Sequence, residues 1–301
     1  MSLTVTDLTA GTSEVLITPW QAARRRMLRH QGFLIGAAII AVIAVMALLA
    51  PWLASHDPYA QDLGMRLVPP IWDARGGWEH LLGTDHLGRD YLSRLMYGAR
   101  ISLMIGLGAA SIGCLIGVSL GIAAGYFGGR IDQAVSYLLT CQLALPGLLL
   151  AMSLVFLIGP SVAVVICVIG VLHWTYFLVV TRAATMQIRE LDYVTAARAV
   201  GCSRWQVISH EVLPNLLNQI IVVYTLEVGV AIIAEASLSF LGVGVPAPNP
   251  SWGLLIAEGK NSMFFRPWLV VVPGLFLFAL VIAINFMGDG LRDATAPESR
   301  N

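Results

Sequence analysis

Six long apolar runs constrain what this chain becomes, at about residues 32–53, 101–125, 131–158, 162–181, 216–241 and 268–287. A bilayer core is crossed by about 20 apolar residues in helical form, because each backbone N–H and C=O must find its partner inside the same segment. Composition points the same way. Of the 301 residues, 57% are hydrophobic and 12% charged, against about a quarter charged in soluble domains. The predicted fold class is all-α: a polytopic membrane protein with six transmembrane helices. Formal net charge is zero, so no polybasic surface argues for nucleic acid.

One stretch between the spans is polar and punctuated: Asp192–Asn215, DYVTAARAVGCSRWQVISHEVLPN. Asp192 is placed to cap a short helix through Ala199 that carries the small pair Ala196 and Ala197. Gly201 then stops it, glycine being the residue that enters the left-handed turn without penalty. Ser203 followed by Gln206 fits a capping box and starts a second short helix. Pro214 is expected to end that helix, since the residue before a proline is pushed out of helical geometry. Two short, stiff helices at a sharp angle, with small residues on one face, have the shape of a docking knob.

Flanking charge orients the chain. Arg24, Arg25, Arg26 and Arg29 precede the first span and place a cytoplasmic tail at 1–31, its first 22 residues loose. The apolar run that follows is too long for a signal peptide. Four spans then carry residues 182–214 back to the cytoplasm, where Arg182, Arg189, Arg198 and Arg204 lie. Arg292 marks the same side for a tail at 291–301. Residues 54–97 and 242–267 become external loops around a core at 98–290. In the first loop Asp85/Arg89 and Asp90/Arg94 stand four apart, the spacing of ion pairs on a helix. A solvated amphipathic helix is the expectation there. Three prolines, Pro246, Pro248 and Pro250, break the second loop before a short helix at 254–263.

Within the spans a few residues carry information. Gly113, Gly117, Gly121 and Gly125 form a ladder at i+4, a seam that lets two membrane helices approach closely. Gly117–Gly121 also spells GxSxG, but a nucleophile elbow needs a strand-to-helix turn, and this is a continuous apolar helix. Pro146 is expected to leave a static kink in the third span. His173 reads as a packing residue. Glu227 and Glu235 stand eight apart on one face of the fifth span. A charge in the bilayer is costly enough to face a cavity or a partner. Both acids are therefore candidates for a translocation path, with a structural role at an interface as the competing reading. Cys114, Cys141, Cys167 and Cys202 form no CxxC pair, so no metal site follows, and they read as small buried hydrophobes.

The spacing Ala196-Ala197, Gly201, Leu213-Pro214 resembles the EAA loop of permease subunits of bacterial ABC importers. Two positions depart from the pattern: the leading Glu is Thr195, and the Ile ahead of Leu-Pro falls on Glu211. Three further stretches, GTDHLGRDYLSRLMYGARISL (83–103), EASLSFLGVG (235–244) and NFMGDGLRDA (285–294), are similar to the C-type subunits of dipeptide and oligopeptide permeases. The resemblance implies the type I importer transmembrane fold, residing in the bacterial inner membrane, and ATPase coupling through Ala196, Ala197, Gly201, Leu213 and Pro214. It also implies partners: a homologous permease subunit in a heterodimer, two ATPase subunits holding ATP and Mg, an external substrate-binding protein, and the surrounding lipid.

The chain has no GxxxxGK[ST] loop to cradle a nucleotide, no HExxH and no triad. It is expected to be no enzyme and to bind no cofactor or metal of its own. The implied substrate is a di- or oligopeptide, with nickel, glutathione or modified peptides as alternatives within the same class. A self-sufficient secondary transporter is the remote alternative. Such carriers often show repeated halves, and this sequence shows none.

Overall fold

A computed structural model describes residues 26–295. The expected loose tail at 1–22, with Arg24 and Arg25, and the last residues of the C-terminal tail lie outside the described residues. Eleven α-helices are described. They are α1 (Gln31–Leu53), α2 (Tyr91–Phe127), α3 (Gly129–Leu143), α4 (Gly147–Ile158), α5 (Val162–Leu172), α6 (Trp174–Ile188), α7 (Asp192–Ala199), α8 (Arg204–Val207), α9 (Leu213–Phe240), α10 (Trp252–Gly259) and α11 (Trp268–Thr295).

Helix α2 is the centre of the bundle and packs against α1, α5, α6 and α9, while α11 lies between α1 and α9. The α2/α6 contact is extensive, and the glycine ladder lines it. A Cβ at Gly117 or Gly121 would collide with Trp174 O or Thr181 Oγ1; at Gly125 it would sit 2.7 Å from Arg182 O, and at Gly113 3.1 Å from His173 O. The expected helix–helix seam is this one.

Among the described residues, five helices are long and apolar enough to cross a membrane: Gln31–Leu53, Tyr91–Phe127, Val162–Ile188, Arg204–Phe240 and Trp268–Ala294. The expected third span is different. Helices α3 and α4 meet at 86° around Ala144–Pro146, so this segment is a broken or re-entrant element rather than a kinked rod. Leu145 is driven out of helical geometry by the proline that follows it, and Pro146 itself stands at φ −62°, ψ 110° as the cap of α4.

The two ends of the bundle are distinct. At the knob end, α7 and α8 sit beside the α2–α3 turn: Arg189 Nη1 donates to Gly125 O at 2.8 Å, and Arg182 pairs with Asp132. At the cap end, residues 54–90 fold over the start of α2 and against α10. The expected solvated helix is absent there; residues 85–90 are turns and extended chain, and Asp85, Arg89, Asp90 and Arg94 are all buried. The Asp85–Arg89 pair forms, at 2.6 Å, but Asp90 pairs with His80 instead of Arg94. Asp90 is committed as the N-cap of α2: its Oδ2 accepts from Ser93 N at 2.8 Å, and its Oδ1 is taken by His80.

Candidate coupling loop and intramembrane polar sites

The knob is built as its residues dictate, with two corrections. Leu191, not Asp192, is the cap residue of α7, and it makes no side-chain cap bond; Asp192 is the first helical residue, where its charge favours the helix dipole. Helix α7 ends at Ala199, and Gly201 turns the chain at φ +92°. Ser203 and Gln206 form the reciprocal capping box, Ser203 N donating to Gln206 Oε1 at 2.8 Å.

The second correction concerns Pro214, which ends nothing. It stands in the first turn of α9, and the chain from Arg204 to Phe240 is one continuous rod with a π-type turn at Ile208–Val212. Leu213 N donates to Ile208 O, five residues back. The widened turn accommodates a residue with no N–H to give, which is why a proline is tolerated here.

The inner face of the knob is anchored. Val194, Val207, Ile208 and Val212 are buried with Ile122, Tyr126 and Ile188, and Ala197 and Leu213 pack against this cluster. Arg198 stands over the Tyr126 ring at 4.9 Å. The outer face is open: Ala196, Val200 and Trp205 are exposed, Val200 and Trp205 by 81% and 74%. The tip is thus bulky and apolar, on a two-helix turn beside a shallow groove between Ala197, Gln206 and His210.

Glu227 and Glu235 are both buried within the chain, but differently. Glu227 Oε2 lies 3.0 Å from His173 Nδ1, so the histidine read as packing is the partner of the acid. His173 stands at the break between α5 and α6 and lines two cavities of about 170 and 230 Å3, with Gly147 and Leu172 common to both. Gln142, at the end of α3, donates to Leu172 O beside it. Two helix breaks, at the ends of α3 and α5, thus bring Gln142 and His173 beside Glu227 on the unbroken α9. Sequence reasoning missed the pairing because His173 and Glu227 are far apart in the chain and only the fold joins them.

Glu235 accepts from Ser239 and Ser251 hydroxyls, each at 2.7 Å, through one oxygen, while its other oxygen has no partner. Ser251 is also the N-cap of α10, so Glu235 ties that short helix to α9. The cysteines do not follow expectation: Cys141, Cys167 and Cys202 are exposed and Cys114 is only half-buried.

At the cap end, Asp85 receives Arg89 Nε and Arg94 Nη1, and Glu258 of α10 receives both arginines, Arg94 Nη1 at 2.6 Å and Arg89 Nη2 at 3.2 Å. Burial alone would raise the Asp85 pKa; the Arg94 and Arg89 guanidiniums outweigh it and hold the carboxyl below its ordinary value. Glu258 carried no sequence signal.

The family of binding-protein-dependent transport system inner membrane components matches residues 117–301. The chain belongs to that family. A second family, the N-terminal TM domain of oligopeptide transport permease C, matches residues 18–70. The dipeptide transport system permease protein of Haemophilus influenzae is 39% identical over 281 residues, 93% of this chain and 95% of that protein. The di/tripeptide transport system permease protein of Pseudomonas aeruginosa is 41% identical over 272 residues, 90% of each chain. Among solved structures, the inward-facing methionine ABC transporter MetNI superposes with a TM-score of 0.55 at 17% identity, over 68% of this chain and 97% of that one, a likeness of fold. As an inner membrane component of this family, the protein is a multi-pass transport subunit and not itself an enzyme.

Proposed function

We propose that this permease subunit forms half of the translocation path of an importer for di- and oligopeptides. Its homologous partner is a different chain, and an external binding protein delivers the substrate. ATP and Mg are held by two ATPase subunits that grip the knobs from the cytoplasm, where both termini also lie. The peptide class is supported by relatives named for dipeptides and di/tripeptides that match over nine-tenths of both chains.

The observation that carries the coupling role is the knob itself. Its buried side is locked to α2 and α6, and its exposed side offers Val200 and Trp205 on a turn fixed by Gly201. Closing of the ATPase pair would draw two such knobs together and move the attached rods. Ala196 and Ala197 keep the approach close, Gly201 sets the angle, and Leu213-Pro214 carries the motion into α9. Glu227 with His173 is placed to line the path. Glu235, fully buried and tied to Ser239 and Ser251, serves the architecture beside it.

The test is ATP hydrolysis in proteoliposomes holding this chain, its permease partner, the ATPases and the binding protein. Stimulation by a dipeptide and oligopeptide pool, dependent on this subunit, is the expected result. A basal ATPase without peptide response would move the substrate to nickel, glutathione or modified peptides. Failure of this chain to bind the ATPases would overturn the coupling role and favour a standalone carrier.

A further inference from the structure

The cap end holds a second cluster with no part in the coupling scheme. His56 follows the end of α1, His80 lies in the middle of the 54–90 segment, and Asp90 caps α2. Three separate stretches therefore bring two imidazoles and one carboxylate together. His80 Nδ1 stands 2.9 Å from Asp90 Oδ1 and His56 Nδ1 3.9 Å from the same oxygen, and the three potential ligand atoms lie within 4.8 Å of one another. The two imidazole rings are 4.7 Å apart, centre to centre.

These separations bracket what a small divalent ion demands. Bonds of about 2.0–2.1 Å in a tetrahedral arrangement put neighbouring ligand atoms about 3.3–3.4 Å apart. The set is also held from behind. The other oxygen of Asp90 is fixed by Ser93 N at 2.8 Å, and the His56 backbone N–H meets Ser93 Oγ at 3.4 Å. Such outer bonds orient ligands before an ion arrives. Burial is graded: the Asp90 and His80 side chains are covered, while His56 keeps about a third of its surface open beside the exposed Ser55. An ion would enter from that side and keep a fourth position for water, the arrangement of an open three-ligand zinc site.

We infer that His56, His80 and Asp90 form a binding site for a divalent transition metal of the zinc type, resident on the cap. Imidazole and carboxylate together suit zinc or nickel better than the oxygen-seeking calcium or magnesium. The contrast with Asp85, His86 and Glu258 is instructive. The potential ligand atoms of that group also lie within 4.8 Å of one another, but both its acids are already engaged by Arg89 and Arg94, whose charges repel a cation. No such arginine pairing engages Asp90 Oδ1, which faces the two imidazoles. In place, the ion would pin the chain leaving α1 to the cap and to the N-cap of α2.

The experiment uses the full-length chain in detergent, stripped with chelator and titrated with Zn(II) against a chromophoric competitor, and separately with Co(II) followed by visible absorption. One equivalent of Zn(II) and intense tetrahedral Co(II) bands are expected. His56→Ala should weaken Zn(II) binding by about 100-fold or more, since even outer-shell losses reach that range. Because His56 is partly exposed, this variant tests the ligand without emptying the core. His56→Cys supplies a thiolate and should restore binding, with a sulfur-to-Co(II) charge-transfer band; a purely structural histidine would show no such rescue. Absence of stoichiometric binding in the unaltered chain, or binding that His56→Ala leaves unchanged, would overturn the site.

Discussion

Arg94, in the first turn of α2, reaches Glu258 in α10 across 164 residues of sequence, with Nη1 and Oε2 2.6 Å apart. This contact, with Asp85 and Arg89, fastens the 54–90 segment to the short helix within the second loop. Nη2 and Nε of Arg94 have no further protein partner, so the guanidinium relies on its two carboxylates.

Arg94→Leu should therefore destabilise the cap by about 3–5 kcal/mol, the penalty for stranding buried charge when one partner is removed. Thermal unfolding of the detergent-solubilised chain reads it out. An unchanged melting temperature would show that the cluster contributes nothing to the fold.

Acid sensitivity should follow the same cluster. The folded pKa of Asp85 lies below its ordinary value of 3.8. Its ionised form therefore stabilises the fold fully above 3.8 and loses that contribution as pH falls through the lower folded value. With Arg94 replaced by Leu, burial is less opposed and the acid transition moves to higher pH. Tryptophan fluorescence from Trp72 and Trp78, both exposed on this segment, follows the transition; an unmoved midpoint would refute the assignment.

Gly201 separates conformation from contact. A Cβ there meets nothing within 4 Å, yet φ is +92°. Gly201→Val forces a branched residue into left-handed geometry, at about 1–2 kcal/mol or more, and is expected to uncouple ATP hydrolysis from uptake while membrane insertion stays intact. Gly201→Asn, which tolerates that geometry, should retain coupling. Equal uptake by both variants and the unaltered chain would count against the docking role.

On the α2/α6 seam, Gly121→Ala should lower stability by about 1–3 kcal/mol, the range for overpacking. Gly113→Ala, whose Cβ would stand 3.1 Å from His173 O, should be milder. Chemical denaturation of both variants in one detergent gives the order, and a reversed order would contradict the packing.

His173→Leu and Glu227→Leu should be non-additive. A double-mutant cycle on stability is expected to return a coupling of about 0.5–3 kcal/mol, as for residues in direct contact. Strict additivity would mean that the 3.0 Å pairing carries no energy.

Local chemistry was legible in the sequence; closure was not. The Ser203–Gln206 box, the turn at Gly201 and the glycine ladder each rest on spacing within a few residues, and each stands in the structure. Asp85 and Arg89 were correctly paired, but by a rule for helices, and they pair across a turn instead. Glu258 and His173 became meaningful only through residues brought from elsewhere. Pro214 and Pro146 show why one residue type does not fix one outcome. The first is absorbed by a widened turn in a continuing rod, whereas the second, with no such turn before it, breaks its segment by 86°.

The unbroken run from Arg204 to Phe240 makes the knob and the two intramembrane acids parts of a single lever. At about 1.5 Å per residue, 37 residues extend roughly 55 Å. Glu227 and Glu235 lie on the far half, and the Gly229 side of the rod rests near Ile284. Tilting the short arm by a small angle sweeps the long arm through several ångströms without any helix having to melt. The widened turn at Ile208–Val212 interrupts the regular α-helical bonding of that rod, and under the proposed coupling its stiffness would set how much of a push at one end is delivered at the other.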